Sequence, residues 1–204
     1  MFDALKPKIM FAAAAIAGFA LAASSANAAP SLKITLETFD SMNNQTDIRM
    51  FSGGSSLGTL FESIGNYETS VTAKAFEDPD ELIDVNISTE GGGGEALKIT
   101  IDASGFTGSG QARATTSVTP TKIGNTLGLE STVNGQTVLS NADLSQSVLG
   151  TDTAAVTLAS PYSIIHEYTI IHTNAGQRTQ FDTTTTVPVP ATLGLLGAGL
   201  IGLG

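Results

Sequence analysis

The clearest pattern in this chain lies at residues 97–102, which read Leu-Lys-Ile-Thr-Ile-Asp. Apolar and polar side chains alternate there at every step, and successive side chains of a β-strand point to opposite faces of its sheet. The same alternation occurs at residues 32–37 (Leu-Lys-Ile-Thr-Leu-Glu) and 83–88 (Ile-Asp-Val-Asn-Ile-Ser). The three stretches therefore predict half-buried strands, each with one face toward a core and the other toward solvent.

Weaker strand patterns surround these three stretches, and turn sequences separate them. Further candidate strands are residues 57–63, 67–76, 111–119, 127–133, 137–139, 154–159, 162–173 and 178–186. Asn134-Gly135 is typical of a two-residue hairpin turn. Glycines 91–94 predict a flexible hairpin loop, because no lysine, serine or threonine follows them at the spacing of a phosphate-binding loop. A helical turn competes only at residues 143–149, so about ten short strands predict an all-β antiparallel β-sandwich.

Composition excludes several classes of protein. The chain has no cysteine, which rules out disulfides, thiol catalysis and thiolate metal sites. Its formal net charge is −10, and removing the two lysines and one aspartate of residues 1–28 makes it −11. An acidic domain repels the phosphates of nucleic acid, so nucleic acid is excluded as a partner. Residues 29–186 are enough to bury one single-domain core.

The N-terminal residues 1–28 have the pattern of a secretory signal peptide. Lys6 and Lys8 form a short basic region, residues 9–23 are apolar, and Ala26-Asn27-Ala28 is a small-x-small cleavage site. Cleavage after Ala28 makes Ala29 the first residue of the mature chain. The alternative, an uncleaved N-terminal anchor, needs a longer apolar run.

The C-terminal residues 187–204 join two prolines to an uncharged apolar run. Pro188 and Pro190 push the residues before them into extended conformations and end any regular strand. Thr192 is a candidate N-cap for an apolar helix that follows. As a helix, residues 191–204 would be about 21 Å long, against a hydrocarbon core of about 30 Å. We therefore expect the native chain to continue beyond Gly204 with apolar residues and then a basic cluster.

This tail resembles a known family of sorting signals. Pro188, Pro190, Ala191, Thr192 and Leu193, followed by the Gly/Leu-rich run, resemble the PEP-CTERM signals of exported proteins in Gram-negative bacteria. The resemblance implies a partner that recognises and cleaves the signal, a membrane enzyme called an exosortase, and association with extracellular polysaccharide. It also implies retention in the inner membrane before processing, and then a place at the cell surface or in the extracellular matrix.

The tail departs from the family pattern in two respects. Val189 stands where the family usually has glutamate, and the basic tail is absent. A variant signal of this kind could be served by a different, exosortase-like enzyme. Anchoring is therefore expected from the apolar run itself, whereas cleavage depends on whether the enzyme accepts Val189.

The acidic stretch 77–84 is the candidate metal site. Its carboxylates include Asp78, Asp80 and Asp84, the candidate ligands of a Ca²⁺ ion, which takes six to eight oxygen ligands. The stretch fails as an EF-hand, because Leu82 occupies a ligand position and Ile83 stands where glycine is needed. The alternative is a solvated acidic loop without a cofactor.

No catalytic residue is predicted. His166 and His172 share one face of a predicted strand but lie roughly 20 Å apart, too far to bind one metal ion. Glu167 points to the opposite face, so it cannot pair simply with either histidine, and both histidines are expected to be structural. The sequence has no Gly-x-Ser-x-Gly elbow, and it singles out no pair of carboxylates for glycoside hydrolysis.

These observations predict an exported, surface-anchored or extracellular-matrix protein with a non-enzymatic structural or interaction role. Its parts are a signal peptide (1–28), a β-sandwich domain (29–186) and a sorting and anchor segment (187–204). The alternative is an extracellular polysaccharide-binding module assisted by calcium, although the chain lacks the tryptophan that would stack on a sugar. A third interpretation is an extracellular hydrolase. Threonines 183–186 fit either an O-glycosylated stem or a β-branched last strand.

Overall fold

The computed structural model describes residues 29–78, 81–141 and 150–188. These residues contain no helix, and so none that is long and apolar enough to cross a membrane. They form twelve strands: β1 (Ser31–Phe39), β2 (Gln45–Gly53), β3 (Ser56–Ile64), β4 (Tyr67–Asp78), β5 (Glu81–Gly91), β6 (Ala96–Phe106), β7 (Gly110–Lys122), β8 (Thr126–Val133), β9 (Gln136–Asn141), β10 (Gly150–Leu158), β11 (Tyr162–Ile171) and β12 (Gln177–Thr186). The predicted signal peptide, the apolar C-terminal helix and the helical turn at 143–149 lie outside the described residues.

Two six-stranded sheets form, and every paired strand is antiparallel to its neighbour. Sheet A has the order β2-β1-β6-β11-β8-β9, and sheet B has the order β10-β7-β12-β5-β4-β3. The predicted all-β, antiparallel two-sheet architecture is confirmed. Every segment that the alternation predicts is a strand.

Strands β5 to β12 pair in a nested order. β5 pairs with β12, β6 with β11, β7 with β10 and β8 with β9. Nested pairs divided between two sheets are the arrangement of an eight-stranded jelly roll. The hairpin β1–β2 extends sheet A beyond β6, and the hairpin β3–β4 extends sheet B beyond β5.

The core lies between the sheets and takes alternate residues from each strand. In β6 the side chains of Leu97, Ile99 and Ile101 are fully buried, and in β5 those of Ile83 and Ile87 are too. Full burial of one such side chain contributes about 1.5–3 kcal/mol. The alternation that predicts these strands therefore also predicts which of their side chains form the core.

The number of strands is larger than predicted, because the sequence does not indicate β2. The prediction is about ten strands, and the described residues form twelve. In β2 no side chain is buried, and each is exposed or half-buried. Polar and apolar side chains alternate in β2 only over residues 47–50, against six residues in each of the three clearest stretches, and the apolar members Ile48 and Met50 are exposed.

Three local predictions can be compared with the structure. The turn at Asn134-Gly135 is confirmed, with positive φ values of 50° and 72° between β8 and β9. The hairpin predicted at glycines 91–94 is wrong, because this loop links β5 to β6 in the opposite sheet. The O-glycosylated stem is also wrong, because Thr183 and Thr185 are fully buried in β12.

Both ends of the sandwich domain's chain lie at the same end of the molecule. Ser31 begins β1 opposite Ser104, near the end of β6. Thr185, near the end of β12, lies opposite Ile83, near the start of β5. We call this the proximal end. The opposite, distal end carries the loops at 40–44, 65–66, 92–95, 123–125 and 172–176.

Candidate binding groove

The predicted calcium ligands are described only in part. Asp84 lies on β5, opposite Lys74 of β4 and Thr184 of β12. Asp80 and the side chain of Asp78 lie outside the described residues. The part of the chain that the structure describes contains no group of three or more histidine, aspartate or glutamate side chains arranged to hold a metal ion. A calcium site at Asp78, Asp80 and Asp84 therefore stays a prediction.

The predicted processing residues lie at the margins of the described chain. Ala29 is exposed and follows Ala26 and Ala28, which lie outside the described residues. At the other margin Val187 is fully buried and Pro188 is exposed. The rest of the predicted sorting motif lies outside the described residues: Pro190, Ala191, Thr192 and Leu193. The sandwich therefore extends one residue into the segment assigned to the tail.

His172 lies beside a threonine hydroxyl at the distal end of the core. Its Nε2 is 2.8 Å from Oγ1 of Thr179, and its Nδ1 is 3.0 Å from the carbonyl oxygen of Gly91. Because a carbonyl only accepts, Nδ1 carries the proton and Nε2 accepts from the hydroxyl. The backbone N–H of Gly124 in turn donates to Oγ1 of Thr179.

A hydroxyl and an imidazole at this distance could form a nucleophile–base pair. However, both side chains are fully buried, so a substrate cannot reach them. Burial also lowers the pKa of His172 below its ordinary value. The pair ties the loop that follows β11 to strand β12 at the distal end.

His166 lies in the middle of the core and is also hydrogen-bonded. Its Nε2 is 3.2 Å from Oγ1 of Thr185, and its ring stacks on Tyr168 at a centroid distance of 5.9 Å. Complete burial lowers the pKa of His166 to about 3. Like His172, it is placed where a structural histidine is expected.

Buried hydroxyls extend from His166 into a chain that crosses the core. Thr185 is 2.8 Å from Thr116, and Thr116 is 2.9 Å from Ser131, measured between hydroxyl oxygens. Thr185 and Thr116 belong to sheet B, whereas His166 and Ser131 belong to sheet A. We call these four residues the hydroxyl chain; it links the sheets by hydrogen bonds at two points.

An open groove of about 390 Å³ crosses the outer face of sheet B in its distal half. It lies over β3, β4, β5 and β12, whose outward side chains alternate with core residues. The outward side chains at the groove are Phe61, Ser63, Glu68, Ser70, Ser88, Glu90 and Arg178. The groove therefore combines an aromatic ring, carboxylates, hydroxyls and one guanidinium.

Charged residues form one cross-strand row of the groove. Glu68 lies opposite Glu90, and Glu90 lies opposite Arg178. Directly opposite side chains have Cβ atoms about 4.5–5.5 Å apart, and like charges in that position destabilise a sheet. The ion pairs of the described residues, Arg49–Asp47 and Lys98–Glu167, do not involve these glutamates. The row is thus unfavourable for folding but well suited to a polar ligand.

Arg178 does not neutralise the row by pairing with Glu90. Instead its Nη2 donates to Oγ of Ser88 at 3.2 Å. A guanidinium has five N–H donors in a fixed fork, and among the described residues Arg178 makes no other side-chain hydrogen bond, so most of its donors can serve a ligand. The bond to Ser88 holds the fork over the groove.

Phe61 supplies the apolar part of the groove. It lies opposite Ser70 in the neighbouring row, and 79% of its surface is exposed. An aromatic ring gains most from burial, so an exposed ring beside polar groups is typical of a binding surface. Sequence reasoning missed this site because its residues are far apart in the chain. The sequence does carry one signal of this site: Phe61 falls on the solvent-facing side of β3, whereas Leu60 and Ile64 face inward.

Comparison with known proteins identifies no family. Neither a protein-family model nor a curated protein matches the chain. Among solved structures it is similar to parts of an arabinose-bound GH51 α-L-arabinofuranosidase (13% identity, TM-score 0.32), the GH31 α-xylosidase of Xanthomonas citri (8%, 0.33) and the isomalto-dextranase of Arthrobacter globiformis T6 complexed with panose (10%, 0.25). The similarity covers 63%, 78% and 73% of this chain, but only 23%, 17% and 29% of those chains. At these TM-scores the similarity decides neither activity nor ligand.

Proposed function

We propose that this chain is an exported, non-enzymatic protein that its C-terminal segment holds at the cell surface or in the extracellular matrix. The position of the two chain ends carries the proposal. Ala29, which follows the signal-peptide pattern, and Pro188, which begins the sorting pattern, both adjoin the proximal end. A tether there leaves the distal loops and the groove directed away from the membrane.

Substitution of the two prolines tests the proposal. Pro188→Ala with Pro190→Ala should change either the fraction of protein retained at the membrane or its intact mass, because the prolines define the predicted sorting signal. The measurement is fractionation and mass spectrometry of the full chain in a Gram-negative host that carries an exosortase. Pro120→Ala, in β7, is the matched control and should leave both unchanged. Unaltered location and mass in the double variant would contradict the proposal.

A second candidate function is binding of an extracellular polysaccharide, and the groove favours it. Sugar hydroxyls both donate and accept hydrogen bonds, so they can satisfy the carboxylates of Glu68 and Glu90 and the guanidinium of Arg178 together. The C–H face of a sugar ring can pack on Phe61. A hydroxyl bound between the glutamates would also offset their mutual repulsion.

Polysaccharide binding is tested with purified neutral polysaccharides in pull-down and glycan-array experiments. Arg178→Ala and Phe61→Ala should each weaken binding about tenfold or more, which corresponds to about 1.4 kcal/mol. Arg113→Ala is the matched control, because Arg113 is an exposed arginine on β7 in the same sheet. The groove predicts binding that persists in EDTA. Binding that requires calcium would instead implicate Asp78, Asp80 and Asp84.

A further inference from the structure

The edge strand β2 is paired on one side only within the described residues. It lies at one end of sheet A and pairs with β1 alone. None of its side chains is buried, and the exposed fractions of Ile48 and Met50 are 40% and 61%. An exposed edge strand with apolar side chains offers unpaired N–H and C=O groups to another strand.

The other edge strands are covered or interrupted more than β2, which also contacts the edge strand β3 but buries no side chain. β9 contacts β10, the edge of the other sheet, and buries Val138 and Leu139. β3 is interrupted by a register shift between Leu57 and Leu60, which disturbs a partner strand. In β2 the pairing with β1 is regular from Gly53 to Asp47, and no proline interrupts it.

We propose that β2 pairs with β2 of a second copy of this chain, antiparallel about a two-fold axis at Ile48. A two-fold axis perpendicular to the sheet places each residue opposite one that points to the same face. With the axis at Ile48, the two Ile48 side chains meet, and Thr46 lies opposite the partner's Met50. The two A sheets then form one continuous sheet, as in β-strand addition.

Charge selects this register among the alternatives. With the axis at Ile48, Asp47 lies opposite the partner's Arg49, and Arg49 lies opposite the partner's Asp47. Moving the axis to Arg49 or to Asp47 would place like charges opposite each other, which is unfavourable. In one chain Asp47 and Arg49 are already neighbours, and their side chains are 31% and 45% exposed. Both can therefore reach a partner strand.

Cysteine cross-linking tests the position of the axis. The chain has no cysteine, so Ile48→Cys introduces the sole thiol. At the axis, two such thiols lie close enough for a disulfide after a small adjustment. Mild oxidation of the full chain should then give a covalent dimer on a non-reducing gel. Met50→Cys is the matched control. Its two thiols would lie about 13 Å apart, too far to form a disulfide, so this variant should run as a monomer on the same gel. Equal cross-linking of both variants, or none at Ile48→Cys, overturns the proposal.

Charge reversal in the Ile48→Cys background tests the register independently. Asp47→Arg or Arg49→Asp alone should lower the dimer yield several-fold, because each places like charges opposite each other twice. Mixing the two variants, distinguished by tags, should restore the yield, since only the mixed dimer pairs arginines with aspartates. All variants carry the same terminal segments, so differences among them report β2. Circular dichroism checks that each folds. A yield insensitive to charge, or no rescue in the mixture, overturns the proposal.

Discussion

Burial of His166 links one residue to the stability of the whole chain at low pH. Its ordinary pKa of 6.5 falls to about 3 in the fold, so between those values the unfolded chain binds a proton that the folded chain excludes. The stability that neutral His166 contributes is fully present above about pH 6.5 and is lost as the pH falls toward 3. The loss has an upper limit of about 5 kcal/mol.

The variant His166→Gln should therefore lose less stability on acidification than the wild type. Glutamine can still hydrogen-bond to Thr185 but does not titrate. Urea unfolding between about pH 7 and 4 measures the difference as the slope of the unfolding free energy against pH. Some slope should remain, because burial also lowers the pKa of His172. Identical slopes in variant and wild type would contradict the assignment to His166.

Gly92 is required by space as well as by backbone conformation. A Cβ atom there would lie 2.2 Å from Cβ of His172, whereas one at Gly93 would have nothing within 4 Å. Both glycines have positive φ, 103° and 114°, so alanine at either position costs about 1–2 kcal/mol in backbone strain. Gly92→Ala should destabilise the chain by about 1–3 kcal/mol more than Gly93→Ala, because it must also displace His172. Chemical denaturation of the pair measures this, and equal losses would contradict it.

At the scale of elements, the hydroxyl chain joins β7, β8, β11 and β12. Thr116→Val removes the hydroxyl that bonds to both Thr185 and Ser131, and leaves two buried hydroxyls without that partner. The unfolding free energy should fall by about 1–3 kcal/mol. Thr119→Val, three residues away on the outer face of β7, removes an exposed hydroxyl with the same change of shape and should change it by less than about 0.5 kcal/mol. Comparable losses in the two variants would show that the bonds within the core contribute nothing.

The sequence predicts strands wherever burial is one-sided. Ile99 and Ile101 alternate with Lys98 and Thr100 because only one face of β6 meets the core, and that asymmetry is visible in the residues. The alternation is shortest at β2, where it spans only residues 47–50 and leaves Ile48 and Met50 exposed, so this edge strand is also the hardest one to predict. The hairpin predicted at glycines 91–94 is wrong for another reason. Turn residues show that the chain changes direction, but they do not show which sheet the next strand joins.

At the scale of the whole molecule, the alternation of apolar and polar residues predicts which face of a strand is buried, but it does not predict which strands lie side by side. Glu68, Glu90 and Arg178 are separate in the sequence and become one row only because β4, β5 and β12 lie side by side. That order follows from the nested pairing, which depends on contacts between distant strands. The acidic stretch 77–84 attracts attention because its five carboxylates lie within eight residues, whereas the groove assembles its carboxylates from two strands. Clustering along the sequence and clustering in the fold therefore point to different residues.

The nested pairing also sets the order in which the chain can fold. The hairpin of β8 and β9 can form as soon as both strands exist, but each outer pair must wait for a later strand, and β5 waits for β12. Contacts between such distant segments form slowly, because a long loop must close first. A chain that crosses a membrane from its N-terminus onward could therefore form local hairpins such as β8–β9 early, but could not close the sandwich until Thr186 has emerged. For a protein exported as proposed, the same dependence on β12 delays closure before export too, because the sandwich cannot close on a chain that still lacks its last strand.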